Sequence, residues 1–282
     1  MPQHNLTYAF LGPAGTFSDM AVRALVERGS LPAGYEPLAC DSLPEVFEAV
    51  ERGKADYGVV PIENSLEGSV TAVLDAFAFT SRAEILGEIA IDIHQALLLN
   101  PDASLDDVTT IASHTQGIEQ CRRWISQNLP NCQLRLADST AAAAEMAAAD
   151  KSVAAIASPL AAEMCGIDVH EEAIEDNLSS QTRFVIIGKG PVPHDGPGKS
   201  TLALFMNADR PGTLQMILSE LFFAGVNLTM VQSRPTKREL GDYMFFMDID
   251  GYADEPNIQI ALNCLRMKMR EVKVIGSYPR SV

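Results

Sequence analysis

Residues 61–70 read Pro-Ile-Glu-Asn-Ser-Leu-Glu-Gly-Ser-Val and follow directly on the apolar run Tyr57–Val60. A buried strand thus ends in three consecutive polar side chains, Glu63, Asn64 and Ser65, and passes within a few residues into the helix-like stretch 69–74. Upstream of residue 188 the pattern repeats. Leu6–Leu11, Tyr57–Val60, Ile89–Leu99, Thr110–Ala112 and Val153–Ile156 read as strands, and Ser18–Arg28, Leu43–Arg52, Thr115–Asn128 and Thr140–Ala149 as helices. Such alternation predicts βα units and a mostly parallel sheet. Ligands of these sheets bind just beyond the carboxyl ends of the strands.

The junctions are therefore where function is sought. Gly12–Ser18 follows the first strand, Glu63-Asn64-Ser65 the Tyr57 strand, Ser113-His114-Thr115-Gln116 the Thr110 strand, and Ser139-Thr140 precedes the alanine-rich helix. Each set can simply cap a helix, since Ser, Thr, Asn and Asp satisfy free N–H groups at an N-terminus. Taken together, the four junctions predict a cleft lined by N–H groups and hydroxyls, suited to a small anion. The net charge of −16 makes local donors more important, because the global field repels anions. A second stretch, Ser179–Gly188, places Thr182 and Arg183 at the mouth of the apolar run Phe184–Ile187. From position alone Arg183 is either a surface charge or a bidentate carboxylate clamp.

Composition excludes several classes. A 282-residue chain has room for one large or two moderate domains. The acidic balance and the lack of a Lys/Arg cluster argue against a nucleic-acid partner. Five scattered cysteines without a CxxC pair suit a reducing compartment better than a disulfide framework or a zinc site. No apolar run approaches ~18 residues, and the first residues lack a signal-peptide core, so no membrane association and a cytoplasmic location are expected. The histidines include no HExxH pair, and neither metal nor cofactor is expected.

The stretch Gly188–Lys199 holds four glycines and three prolines, and reads as a linker. Beyond it, Leu202, Leu204 and Met206 alternate as in a strand, and Leu214, Ile217, Leu218, Leu221 and Phe222 fall at helical spacing. "NLTMVQSRP" and "YMFFMDIDG" read as strands, Glu255–Arg270 as a helix and Val272–Ser277 as a last strand. The order βαββαβ predicts a ferredoxin-like sandwich with an exposed sheet edge. The run 141–149, "AAAAEMAAA", reads as a tightly packed helix.

The ordered motifs "GPAGTFS", "PIENSLEGSV", "SHTQGIEQC", "STAAAAEMA", "AAIASPLAA" and "QTRF" resemble prephenate dehydratase, and residues 207–251 resemble the ACT regulatory domain fused to it. No N-terminal region of the chorismate mutase type precedes them, so the monofunctional form is expected. The resemblance implies an α/β catalytic part folded like a type II periplasmic binding protein, residues 5–188. One subdomain would hold about residues 5–83 with 167–188, the other 84–166, followed by a linker over 189–199 and the ACT domain over 200–279. It implies decarboxylating dehydration of prephenate to phenylpyruvate in phenylalanine biosynthesis. Arogenate as substrate, or a non-catalytic sensor with the same cleft, are the alternatives.

By the same resemblance Thr182 is the catalytic hydroxyl, and Glu63 is either the acid or a hydrogen-bond anchor of the cleft. Thr16, Asn64, Ser65, Ser113, His114, Gln116, Arg183 and Phe184 would bind substrate, with Arg183 clamping a carboxylate. Phenylalanine, the expected effector, would bind where two ACT domains meet in a homodimer or homotetramer. Asp209, Pro211, Gly212, Thr213, Leu214, Asn227, Leu228, Gln232 and Ser233 would hold it; Gln232 stands where the family shows glutamate.

Overall fold

The computed structural model describes residues 5–190, 192–208 and 210–280. The chain opens with β1 (Thr7–Leu11), α1 (Phe17–Glu27), β2 (Glu36–Cys40), α2 (Leu43–Glu51), β3 (Tyr57–Asn64), the short β4 (Gly68–Ser69), α3 (Thr71–Asp75) and β5 (Glu84–Asp92). It continues through β6 (Ala96–Leu99), β7 (Thr110–Ser113), α4 (Thr115–Gln120), α5 (Arg122–Asn128), β8 (Gln133–Leu136), α6 (Thr140–Ala149), β9 (Val153–Ala157), α7 (Pro159–Cys165) and β10 (Asp168–Glu171). It returns in β11 (Gln181–Gly188) and closes with β12 (Gly198–Phe205), α8 (Thr213–Phe223), β13 (Leu228–Pro235), β14 (Tyr243–Asp250), α9 (Pro256–Lys268) and β15 (Glu271–Pro279).

Two sheets result. The smaller has the order β10-β6-β9-β7-β8, and the larger runs β13-β14-β12-β15-β5-β11-β3-β1-β2, with β4 beside β3. Both are mixed rather than mostly parallel. β1 pairs in parallel with β2 and β3, whereas β11 runs antiparallel to β3 and β5. The apolar run 89–99, expected as one strand, is divided between the sheets. At the break the Ile93 N–H donates to the Ser180 carbonyl and the Gln95 N–H to the Glu175 carboxylate, so the returning chain takes the groups that a continuous ladder would use.

The chain crosses between lobes at 92–96 and returns between β10 and β11. This moves the expected subdomain limits: Glu84–Asp92 stays in the large sheet, and Asp168–Glu171 pairs with β6 in the small one. The expected helix 115–128 is broken at Cys121 into α4 and α5. α6 carries the alanine run, and its buried Ala143, Ala144 and Ala147 pack with Ala155 and Ala157 of β9 and with Ala161 and Ala162. Small side chains on both partners let that helix lie close to its strand.

The last six elements follow the order βαββαβ, with antiparallel strands in the order β13-β14-β12-β15, the ferredoxin-like arrangement. β12 starts at Gly198, inside the stretch read as linker. This four-stranded unit continues the large sheet, because Gly276 of β15 pairs in parallel with Ile85 of β5. A Cβ on Gly276 would sit 2.5 Å from the Ile85 carbonyl oxygen, so only glycine permits the approach. Behind the junction one apolar core joins Ile85, Val185 and Phe77 to Ala203, Phe205, Phe246 and Ile275.

Candidate active site

A cavity of about 580 Å³ lies between the two sheets. Its walls are the carboxyl ends of β1, β2 and β3 with the turns that follow, the crossing segment, the starts of α4 and α6, and the returning β11. This is the place that parallel β1-β2-β3 and β7-β8 topology prescribes for a ligand. Thr16, Asn64, His114, Gln116, Thr182 and Phe184, six of the expected site residues, line it together.

Thr182 is 8% exposed, and its Oγ1 accepts from Asn64 Nδ2 at 2.9 Å. The Asn64 amide is fixed in turn, because its Oδ1 accepts from the N–H groups of Leu66 at 2.8 Å and Glu67 at 3.1 Å. Because Asn64 donates this bond, the hydroxyl proton of Thr182 stays free to donate into the cavity. Phe184, two residues on and on the same face of β11, gives the apolar wall. Thr16 spends its hydroxyl differently from a cap: it donates to the Leu11 carbonyl at 3.1 Å, and α1 carries no side-chain cap. His114 caps α4, its Nδ1 accepting from the Gln116 N–H at 3.4 Å. A neutral imidazole in that state carries its proton on Nε2.

Four expected residues lie elsewhere. Arg183, adjacent to Thr182 but on the other face of β11, is absent from the lining. Its guanidinium meets Asp248 at 2.7 Å, Glu88 at 3.1 Å and Glu63 at 3.2 Å. Burial works against its charge, but Asp248, then Tyr278 and Glu88, overcome that and push its pKa above the ordinary arginine value. Glu63 is therefore an ion-pair partner rather than a group facing the cavity. Ser113 is fully buried and donates to the Ile156 carbonyl at 2.7 Å. Ser65 ties the end of β3 to the start of β11, donating to the Ser179 carbonyl and accepting from the Gln181 N–H.

Of the remaining lining residues, Gln95, Gln120 and Asp138 were not expected as site residues, whereas Ser139 and Thr140 belong to a junction expected from the sequence to line the cleft. Gln120 lies four residues after Gln116, one helical turn on, which was the available signal. Ser139 caps α6 through the Ala142 N–H at 3.0 Å and lines the cavity with Thr140 and Asp138. Gln95, embedded in an apolar run, gave no signal; its Nε2 donates to Gln120 Oε1 at 3.1 Å. Gln116 donates to the Glu67 carboxylate across the mouth and so joins the two lobes. Among the described lining residues there is no lysine or arginine, so what the wall offers an anion is helix N-termini, amides, hydroxyls and His114. Among the described residues no three His, Cys, Asp or Glu side chains cluster as metal ligands do.

A second cavity of about 520 Å³ opens at the start of α8, lined by Arg210, Gly212, Thr213, Leu214, Ser233 and Tyr243 among others. Of the expected effector residues, Gly212, Thr213, Leu214 and Ser233 lie there. Pro211, Asn227, Leu228 and Gln232 do not line it in the single chain, and Asp209 lies outside the described residues. Asn227 Nδ2 donates instead to Asp250 at 2.7 Å.

Known proteins share this architecture. A prephenate dehydratase from Mycolicibacterium gilvum is 37% identical over 278 residues, covering 96% of this chain and 90% of that protein. The crystal structure of prephenate dehydratase from Arthrobacter aurescens in complex with L-Phe superposes with a TM-score of 0.88 at 36% identity, over 98% of this chain and 90% of that one. The quorum-quenching acylase GqqA superposes with a TM-score of 0.84 at 30% identity, over 98% of both chains. The family model described as prephenate dehydratase matches residues 8–192, which hold both lobes and every residue lining the larger cavity, and the chain belongs to that family.

Proposed function

We infer that this chain is a carbon-oxygen lyase, a prephenate dehydratase that converts prephenate to phenylpyruvate, carbon dioxide and water. The observation that carries the reading is the Asn64–Thr182 contact at the wall of a cavity built from helix starts. In the reaction the bond from ring to carboxylate breaks, and its electron pair completes the aromatic ring. The carbon–oxygen bond to the ring hydroxyl breaks with its electron pair going to oxygen, and the departing oxygen leaves as water after gaining a proton that is drawn ultimately from solvent. A free threonine hydroxyl is too weak an acid to be the proton's source near neutral pH. Held by Asn64 with its own proton free, Thr182 can donate a hydrogen bond to the leaving oxygen where charge develops.

The substrate's two carboxylates suit the N-termini of α1 and α6 and the amides of Gln116 and Gln120. Phe184 supplies the apolar contact for the ring. Acyl transfer would ask for a hydroxyl beside a base. The partner of Thr182 is an amide N–H, which cannot take a proton, so the site favours elimination. Incubation with prephenate, followed by the absorbance of phenylpyruvate, tests this; no phenylpyruvate from folded protein would remove the reading.

The finer assignment has the catalytic part over residues 5–188 and an ACT regulatory domain over 200–279, which takes phenylalanine at the cavity beside α8. Two features support it: the βαββαβ order, and an A. aurescens relative solved with L-Phe. Arg210 and the N-terminus of α8 offer donors for an amino acid's carboxylate. Pairing of two such units would bring Asn227 and Leu228 of a second copy to the effector. A dimer or tetramer in light scattering, and inhibition of turnover by phenylalanine, test this assignment. Among the described residues no helix is long and apolar enough to cross a membrane, and the five cysteines are free, which supports a reducing compartment.

A further inference from the structure

On the face of β11 opposite Thr182 lies a buried cluster of charge that the reaction does not use. Arg183 from β11, Glu88 from β5, Lys199 from β12 and Asp248 from β14 meet there, with Glu63 of β3 at the rim. Lys199 Nζ donates to both oxygens of Glu88, at 2.7 and 2.9 Å, and Thr201 donates to Asp248 at 2.7 Å. Glu88 and Asp248 side chains are 3% and 2% exposed. The two cations balance these two carboxylates, and Glu63, 40% exposed, is the surplus charge.

Two adjacent rungs of the ladder between β3 and β11 carry this cluster and the candidate active site. Arg183 is opposite Glu63, and Thr182 is opposite Asn64. Immediately beyond them the ladder is irregular. The register shifts between Arg183 and Phe184, and the partner of Phe184 is Pro61, which has no N–H to give. On this edge of β11 the regular backbone pairing therefore stops at the Arg183–Glu63 rung, and side-chain contacts across it add to what holds the Thr182–Asn64 rung in place.

We propose that Arg183 is a positioning residue: anchored by Asp248 from the C-terminal strands of the same sheet, it fixes the rung in which Asn64 presents Thr182 to the substrate. Asp248 then governs turnover from the far side of the sheet, without touching the cavity. The inference rests on Thr182 acting as hydrogen-bond donor in the proposed reaction. A purely structural ion pair would change the melting temperature and leave the turnover of folded protein alone.

The test uses the full chain. Asp248→Asn keeps the shape but removes the charge that anchors Arg183. The kcat for prephenate should fall by roughly 10- to 100-fold, as a small misplacement of a reacting group does. KM should stay within about twofold, since no residue of the cavity is altered. Asp248→Glu, which restores the charge, should recover most of the turnover. If Asp248→Asn does not fold, the double change Arg183→Met with Asp248→Leu removes both charges and leaves Lys199 paired with Glu88, an exchange that buried pairs tolerate. That variant should fold and show the same loss of kcat. Wild-type kcat in either folded variant overturns the positioning role. Failure of the wild-type protein itself to convert prephenate removes the underlying reading and the inference with it, whereas normal wild-type conversion with undiminished variants removes the inference alone.

Discussion

Asn64 and Thr182 share a rung between β3 and β11, and the amide of one donates to the hydroxyl oxygen of the other at 2.9 Å. Direction is the point of this contact. Asn64→Asp keeps size but replaces the donor with a carboxylate, which accepts the Thr182 proton and turns the hydroxyl away from substrate. The expected result is a fall in kcat of roughly 10²-fold, comparable with loss of one donor from an oxyanion site. Thr182→Ala should cost roughly 10²–10⁴-fold. Steady-state kinetics with prephenate checks both, with circular dichroism to establish the fold; near-normal turnover in Thr182→Ala would remove it from the mechanism.

Arg183 separates from substrate binding on placement. Arg183→Met leaves Glu88 and Asp248 buried with one cation fewer, and breaking such a cluster costs about 3–5 kcal/mol. Urea unfolding should show that loss, and substrate affinity measured by KM should change little. A large rise in KM with stability intact would restore the carboxylate-clamp role.

The four residues that the structure sends elsewhere share one cause. Chain proximity does not distinguish the two faces of a strand. Thr182 and Phe184 face the cavity, while Arg183 between them lies on the opposite face of the sheet, against Asp248 of β14. Asn64 likewise faces inward, with Glu63 and Ser65 on either side serving the ion cluster and the strand join. The βα junctions were legible because helix starts and strand ends have local signatures. β2 and β8 were not, since the first shows only Leu38 and Cys40 less than exposed and the second is exposed throughout. The crossing at 92–96 was hidden for another reason: Ile89–Leu99 is apolar on both sides of the break, and what divides it is a pair of hydrogen bonds to residues eighty or more positions away.

The bond from Gln116 to Glu67 spans the cavity mouth between the lobes. Gln116→Ala removes one hydrogen bond and one amide from the wall. A net contribution of about 0.5–1.5 kcal/mol per hydrogen bond corresponds to a rise in KM of roughly 2- to 13-fold, with kcat little changed because Thr182 is untouched. Equal loss in kcat and kcat/KM would instead place Gln116 among the groups that act only in the transition state.

Asp75, at the end of α3, accepts from Arg234 Nη2 at 2.8 and 2.9 Å and lies 2.7 Å from Lys237. Partial burial raises its pKa, but the hydrogen bonds from Lys237 and Arg234 outweigh that, and the net shift is downward. A depressed carboxylate stabilises the fold above its unfolded pKa, about 3.9, and loses that contribution as pH falls through the folded value. Asp75→Asn should therefore melt below wild type at pH 7, and the gap should close as pH drops from about 4 downward. A gap that stays constant over that range would show that the charge is not what stabilises.

The same pair offers a route between the two cavities. Ser233 lines the cavity beside α8, and Arg234, next on β13, holds Asp75. α3 runs from Thr71 and Ala72, in the wall of the larger cavity, to Asp75. Movement of β13 on binding phenylalanine would thus pull the helix that follows Glu63-Asn64-Ser65, and a coupling of about 1–3 kcal/mol is the usual scale. Asp75→Asn cuts the link without altering either lining. Phenylalanine should still bind by calorimetry, while the inhibition reached at saturating phenylalanine, roughly 5- to 150-fold for a coupling of this size, should largely disappear. An inhibition curve that matches wild type would show that the signal does not pass through Arg234 and Asp75.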